Sequence, residues 1–197
     1  MIDVLLAGVG GQGTVLAAKV LAQAAESKGW HVRTAETIGM VQRGGNVTSH
    51  VRMGDGGEEV FAPLLARGSA DLAIAFEPGE AARVLPYLAP GGTLVTATTP
   101  IQPVSAALSQ TPYRAEALVR RLGEQLASAG GSLVAIDDAA VTERVGSRKV
   151  LNTVLLARAL AFGRIPLGVD DLRRAVEACV KPAFVQLNLD AIDAALA

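Results

Sequence analysis

Val4-Leu5-Leu6-Ala7 runs straight into Gly8-Val9-Gly10-Gly11-Gln12-Gly13, and Thr14 then opens a helix-like run that reaches Lys28. An apolar strand, a glycine turn and a helix are the context in which a Gly-x-Gly-x-x-Gly spacing carries meaning. Gly8 can make the tight turn, Gly10 lets a backbone or ligand approach closely, and Gly13 lets the helix pack against the strand. The unpaired N–H groups at the helix start, with the positive end of its dipole, favour an anion there. The same glycines could also do no more than close a strand-to-helix turn. A nucleoside-triphosphate loop is disfavoured, because Thr14 stands where that loop needs its lysine.

The rest of the chain is read outward from this unit. At 197 residues it is expected to form one domain, with an α/β sheet core over 1–146 and a helical end over 147–197. Half of the residues are hydrophobic but 4% are aromatic, so the core is built from Ala, Val and Leu. That composition suits tightly packed helices on buried parallel strands. The fold expected is therefore a Rossmann-like, doubly wound and mainly parallel sheet between helices. A net charge of −1 implies no general affinity for nucleic acid or anionic membrane. No apolar stretch approaches the roughly 20 residues of a membrane span, and Met1-Ile2-Asp3 lacks a basic leader, so a cytoplasmic protein is expected.

Thr14 to Lys28 has one narrow polar stripe, Lys19, Gln23 and Glu26, so this helix is expected to be buried on more than one side, by the sheet and by a partner or a second copy. Strands are expected over His31–Ala35, Val47–Met53, Leu72–Phe76, Leu94–Thr98 and Leu133–Ile136. Helices are expected over Glu80–Leu88, Ala115–Ala129, Ser147–Phe162, Asp170–Cys179 and Ala183–Leu196, with Asp170 as an N-cap. The helical end reads equally as a lid on the sheet or as a docking surface. Gly54-Asp55-Gly56-Gly57 reads as a hairpin turn, Pro90-Gly91-Gly92 as another turn, and Thr99–Pro112 as an extended connection.

Glu36 ends the second strand about twenty residues after the last loop glycine, where an acid would bind ribose hydroxyls in a dinucleotide site. It could equally be a loop carboxylate paired with Arg43. The loop that follows, Gly39-Met40-Val41-Gln42-Arg43-Gly44-Gly45, places a guanidinium beside two glycines, which lets it approach a carboxylate or phosphate closely. Thr48, His50 and Arg52 alternate with Val47, Ser49 and Val51, giving the third strand one polar face. Cys179 is the single cysteine, and it reads as a core residue. It cannot make an internal disulfide or a four-cysteine iron–sulfur cluster. His31 and His50 have no metal-ligand spacing, and no catalytic acid–base set is recognisable, since Tyr87 and Tyr113 each lack a lysine at helical spacing. The Gly-Asp-Gly at 54–56 superficially resembles a thiamine diphosphate motif, but the asparagine that motif needs downstream is missing.

Taken together, Gly8–Gly13, Glu36, Gly39-Met40, Gln42-Arg43-Gly44-Gly45 and Ser49-His50-Val51-Arg52 make the chain resemble the gamma-type subunits of 2-oxoacid:ferredoxin oxidoreductases, most of all the small subunits of the indolepyruvate branch. Ala97, where such chains often carry Asn, and Pro112-Tyr113, a reversed Tyr-Pro, depart from that pattern. The resemblance implies a subunit of a hetero-oligomer that performs coenzyme A-dependent oxidative decarboxylation of a 2-oxoacid with ferredoxin as electron acceptor. It implies that thiamine diphosphate, magnesium and iron–sulfur clusters sit on partner subunits. The cofactor-binding set would be Gly8, Gly10, Gly11, Gln12, Gly13, Glu36, Gly39, Met40, Gln42, Arg43, Gly44 and Gly45, with coenzyme A as the candidate ligand. The competing expectation is a self-sufficient, nucleotide-dependent Rossmann oxidoreductase.

Overall fold

The computed structural model describes residues 1–39, 45–101 and 113–197. Six strands form one sheet: β1 (Ile2–Val9), β2 (His31–Ile38), β3 (Asn46–Gly54), β4 (Ala70–Ala75), β5 (Leu88–Ala97) and β6 (Ser132–Ile136), in the order β2-β3-β1-β4-β5-β6. β3 runs antiparallel to both of its neighbours, β1 and β2, while β1, β4, β5 and β6 pair in parallel. The helices among the described residues are α1 (Thr14–Glu26), α2 (Pro78–Val84), α3 (Ala115–Ser128), α4 (Asp138–Val145), α5 (Leu151–Ala161), α6 (Val169–Cys179) and α7 (Pro182–Leu196).

The strands alternate their side chains between two cores, which makes three layers. Val4, Leu6, Leu72, Ile74 and Val95 face a cluster that takes in α1, α5, α6 and α7. Leu5, Ala7, Ala73, Ala75 and Leu94 face a smaller cluster with Ala81 and Val84 of α2 and Leu122 and Leu126 of α3. The crossovers thus lie on both faces, as the doubly wound expectation requires. The small residues of α1 (Ala17, Ala18, Ala24 and Ala25) are buried and bring its axis close to its neighbours. Gly29, at φ 79°, ends the turn that follows. The three last helices share the larger core with the sheet, so they are the layer over that face.

Several sequence expectations are corrected. β2 continues three residues past Ala35, so Glu36 lies within a strand. Gly54–Gly57 is a turn but not a hairpin, because the next strand, β4, pairs with β1; the hairpin is formed by β2 and β3. Pro90-Gly91-Gly92 lies inside β5, where the register with β4 shifts between Ala70 and Leu72. β6 is a half-buried edge strand. α4 is an additional helix, capped by Asp137, whose carboxylate accepts from Ala140 N–H, and closed by Gly146 in the left-handed region. Gly168 caps α6 in place of Asp170, and Asp171 accepts from its N–H at 2.9 Å.

The polar face of β3 is covered rather than solvated. His50 Nδ1 accepts from Leu65 N–H (3.2 Å), and Arg52 reaches Asp3 (2.9 Å) and the carbonyl of Ala62 (3.0 Å). These bonds hold the connection between β3 and β4 against the sheet. Burial lowers the pKa of His50 from 6.5, and its role as an acceptor needs the neutral ring. Below the pH of a free histidine the unfolded chain binds a proton that the folded chain resists, so stability falls as pH drops below about 6.5. Urea unfolding between pH 7 and 5.5 should show a falling midpoint, and His50→Asn, which keeps an acceptor there, should flatten the fall.

Candidate functional site

The glycine turn is a bonded unit. Gln12 Oε1 accepts from Val9 N–H at 2.7 Å, and Gln12 Nε2 donates to the carbonyl of Phe76 at 2.9 Å. The backbone N–H of Gln12 also donates to Val9 O (3.2 Å). The side chain of Gln12 therefore ties the end of β1 to the end of β4, the point at which the strand order reverses. In open α/β sheets this crevice, outside the carboxyl ends of the strands, is where ligands bind.

The glycines divide the work differently from the expectation. Gly8 is the position that tolerates no side chain: a Cβ there would lie 2.7 Å from Thr14 Oγ1, 2.9 Å from Gln12 Oε1 and 3.0 Å from Phe76 Cβ. Gly11 and Gly13 have φ of 93° and 82°, a region that disfavours side chains. Gly10 admits a close backbone, and that backbone is Gly45, whose carbonyl accepts from Gly10 N–H at 2.9 Å.

Gly45 and Asn46 bring the second glycine-rich stretch to the first. Because β3 is antiparallel to β1, Val9 pairs with Asn46, and the start of β3 meets the glycine turn. Gly39 N–H donates to Asn46 O at 2.8 Å, closing the hairpin below its tip. Gly45 is thus placed beside Gly10, whereas Gly39 lies on the β2 side of β3, against Asn46. Met40, Gln42, Arg43 and Gly44 lie outside the described residues. Glu36 is two strands from β1, about 10 Å away across β3. It lines a groove with Lys19 and Gln23 of α1 and Thr34 of β2, with a cavity of about 340 Å³.

The N-terminus of α1 carries no side-chain cap and no acid in its first turn. Its first backbone bond runs from Ala17 N–H to Gly13 O (2.9 Å). The N–H groups of Thr14, Val15 and Leu16 precede that bond and have no intrahelical partner. Across the crevice, Glu77 caps α2, accepting from Gly79 N–H (2.6 Å) and Glu80 N–H (3.1 Å) and from Tyr113 OH (2.5 Å). Burial and the Glu77 carboxylate hold the Tyr113 phenol above the ordinary tyrosine range, so it stays a protonated donor. Arg83 joins Glu80 and Thr48 beside it.

The family resemblance also covers Asp71–Glu77 and the helix centred on Asn152, but sequence reasoning did not place Asn152, Phe76 or Glu77 in this crevice. Asn152 sits against Gly13, and Thr14 Oγ1 and Asn152 Oδ1 are buried with no hydrogen-bond partner among the described residues. The available signal was one asparagine in the otherwise apolar run of α5. Glu77 was visible as an acid just before Pro78-Gly79, a helix-start pattern. Among the described residues no cluster of three or more His, Cys, Asp or Glu could hold a metal, and no helix is long and apolar enough to cross a membrane.

Residues 3–197 match the family model described as pyruvate ferredoxin/flavodoxin oxidoreductase. Subunit IorB of indolepyruvate oxidoreductase from Archaeoglobus fulgidus is 34% identical over 97% of this chain and 92% of its own, and the subunit of that name from Pyrococcus horikoshii is 32% identical with the same coverage. A keto/oxoacid ferredoxin oxidoreductase gamma subunit from Geobacter sulfurreducens has the same fold, with a TM-score of 0.68 at 22% identity, covering 99% of this chain and 96% of that one. A 2-oxoglutarate:ferredoxin oxidoreductase from Magnetococcus marinus aligns with a TM-score of 0.70 at 18% identity, covering 99% of this chain and 30% of that one.

The geometry makes a sharp distinction between two glycines. Gly8→Ala should cost about 1–3 kcal/mol of stability, because the intruding methyl meets three atoms that are themselves held in place. Gly10→Ala, whose Cβ meets one carbonyl oxygen at 3.4 Å, should cost less than about 0.5 kcal/mol. Chemical unfolding of the two variants checks the difference.

Proposed function

Because the chain belongs to the pyruvate ferredoxin/flavodoxin oxidoreductase family, we propose that it is the accessory subunit of an indolepyruvate-type 2-oxoacid:ferredoxin oxidoreductase and that its glycine crevice holds a phosphate of coenzyme A. The observation that carries the crevice assignment is the uncapped, acid-free start of α1, which follows a turn bonded to Gly45 through Gly10. Backbone N–H groups and the helix dipole converge there on one point, which is the arrangement that a phosphate needs.

The residues present fit such an anion. Gly11 presents an exposed backbone beside the first turn, while the missing Cβ of Gly13 makes room for Asn152 behind it. Gln12 does not meet the ligand; both ends of its amide are used in holding the turn. Arg43, on the hairpin whose base meets Gly10, is the residue we assign to a second anionic group, by a charge-assisted pair. Thiamine diphosphate, with magnesium, and iron–sulfur clusters on the partner subunit would supply the decarboxylation and the electron path to ferredoxin. The single Cys179 cannot furnish the ligands of such a cluster.

A self-sufficient Rossmann oxidoreductase fits less well. The named relatives are subunits, and they match this chain over almost their whole length. The insertion of β3 also separates Glu36 from the glycine turn, where the dinucleotide arrangement places its acid next to β1.

Purified by itself, the chain should turn over no 2-oxoacid. Co-expressed with its thiamine-bearing partner, it should support coenzyme A-dependent oxidation of an aryl 2-oxoacid. Turnover by the isolated chain would overturn the accessory reading. In the assembled complex Arg43→Ala should raise the KM for coenzyme A about tenfold or more while leaving the melting temperature of the isolated chain unchanged. An unchanged KM would remove Arg43 from the site.

A further inference from the structure

The apolar groove between α1, residues 149–150, the end of α6 and α7 has no role in the crevice chemistry. It is a half-open cavity of about 350 Å³, with Leu16, Val150, Val180, Phe184 and Leu187 on its walls. Leu16 and Phe184 remain 37% and 47% exposed, and Val15, beside Leu16, 46%. The first turn of α1 thus leaves two adjacent apolar side chains in water on a helix whose inner face is packed with alanine. Lys149 and Lys181 stand on the same walls, no carboxylate does, and neither lysine makes an ion pair among the described residues. An exposed apolar patch with a polar rim marks an interaction site, and unpaired lysines on that rim favour an acidic partner. Its position adds a second argument, since Leu16 lies one helical turn from Gly13. Whatever seats in the groove stands next to the phosphate crevice.

We propose that this groove docks the thiamine-bearing partner subunit, which inserts an apolar anchor flanked by carboxylates between Leu16 and Phe184, with Lys149 and Lys181 pairing the acids. The proposal rests on the accessory-subunit reading and deepens it. Apolar burial supplies the affinity and the lysines supply register and encounter rate. Docking at this point fixes the start of α1, and with it the glycine turn, relative to the partner's own active site.

Cys179 provides the test without any substitution. It is the only cysteine of the chain and it lines the groove, half-buried rather than in the core as the sequence suggested. Burial raises its pKa, so alkylation by iodoacetamide is run at mildly alkaline pH and followed by mass spectrometry of the Cys179 peptide. In the co-expressed complex the reaction should be about tenfold slower than in the isolated chain. Phe184→Asp, and separately the double charge reversal Lys149→Glu with Lys181→Glu, should each weaken assembly roughly thirtyfold, with unchanged circular dichroism. Phe61→Asp is the control: Phe61 is 86% exposed, but it borders His31 and Arg33, at the opposite end of the sheet. Equal alkylation rates in the chain and the complex would overturn the proposal, as would wild-type assembly by both groove variants. A self-associating isolated chain that becomes monomeric on Phe184→Asp would also overturn it, by assigning the groove to a second copy. If the wild-type chain forms no complex with any thiamine-bearing subunit, the accessory reading itself fails, an outcome that is distinct from failure of the groove.

Discussion

The side chain of Gln12 is the constraint on which the site depends. One amide satisfies Val9 N–H on one side and the carbonyl of Phe76 on the other, at 2.7 and 2.9 Å. Without it, two backbone groups at the ends of β1 and β4 would lose their partners in a partly buried place, at about 1–3 kcal/mol each. The pairing also fixes the distance between the two strands where the strand order reverses. Gly8 is the complement of that bond: a Cβ there would press on Gln12 Oε1 and on Phe76 at once. The turn is rigid because its glycines make room for a glutamine that closes it.

The second constraint is the direction of β3. An antiparallel strand next to β1 starts where β1 ends, so Gly45 and Asn46 lie beside the glycine turn. Had β3 been parallel, its preceding loop would have met the opposite end of the strands, beside the start of β1. One topological choice therefore places Gly45 against Gly10 and moves β2 to the outside, where Ile38 is exposed. The same choice takes Glu36 away from β1. Gly45, rather than an acid on the next strand, is what meets the glycine turn.

Much of this was legible in the sequence. The strand–turn–helix unit, the buried runs of β4 and β5, the alanine-rich helices and the apolar C-terminal end all follow from periodicity and glycine placement. The association of Gly8–Gly13 with the 39–45 loop came from the family resemblance, and the bond from Gly10 to Gly45 gives its physical basis. What could not be read is long-range pairing. No local signal says that β3 pairs with β1 instead of turning back at Gly54, because register is a property of two distant segments. The polar face of β3 misled for a similar reason: His50 and Arg52 look like surface residues until the 55–69 connection is seen folded over them. α4 was legible and overlooked, since Asp137 and Gly146 are ordinary cap residues eight positions of helix apart.

The polar atoms buried under the turn decide what kind of ligand the crevice can hold. Thr14 Oγ1 and Asn152 Oδ1 lie beneath Gly8 and Gly13 in residues 2% and 4% exposed, so a group arriving from solvent cannot pair with either. Neither atom can contribute selectivity, and the bonds open to a ligand are those of the backbone at the start of α1. Backbone N–H groups recognise charge and shape but not the identity of what carries the phosphate. On the proposed reading, the choice of coenzyme falls to Arg43 or to the partner. A chain whose own crevice is generic gains specificity by being held in place. That ties the half-exposed Leu16, three residues after Gly13, to the same function as the turn it follows.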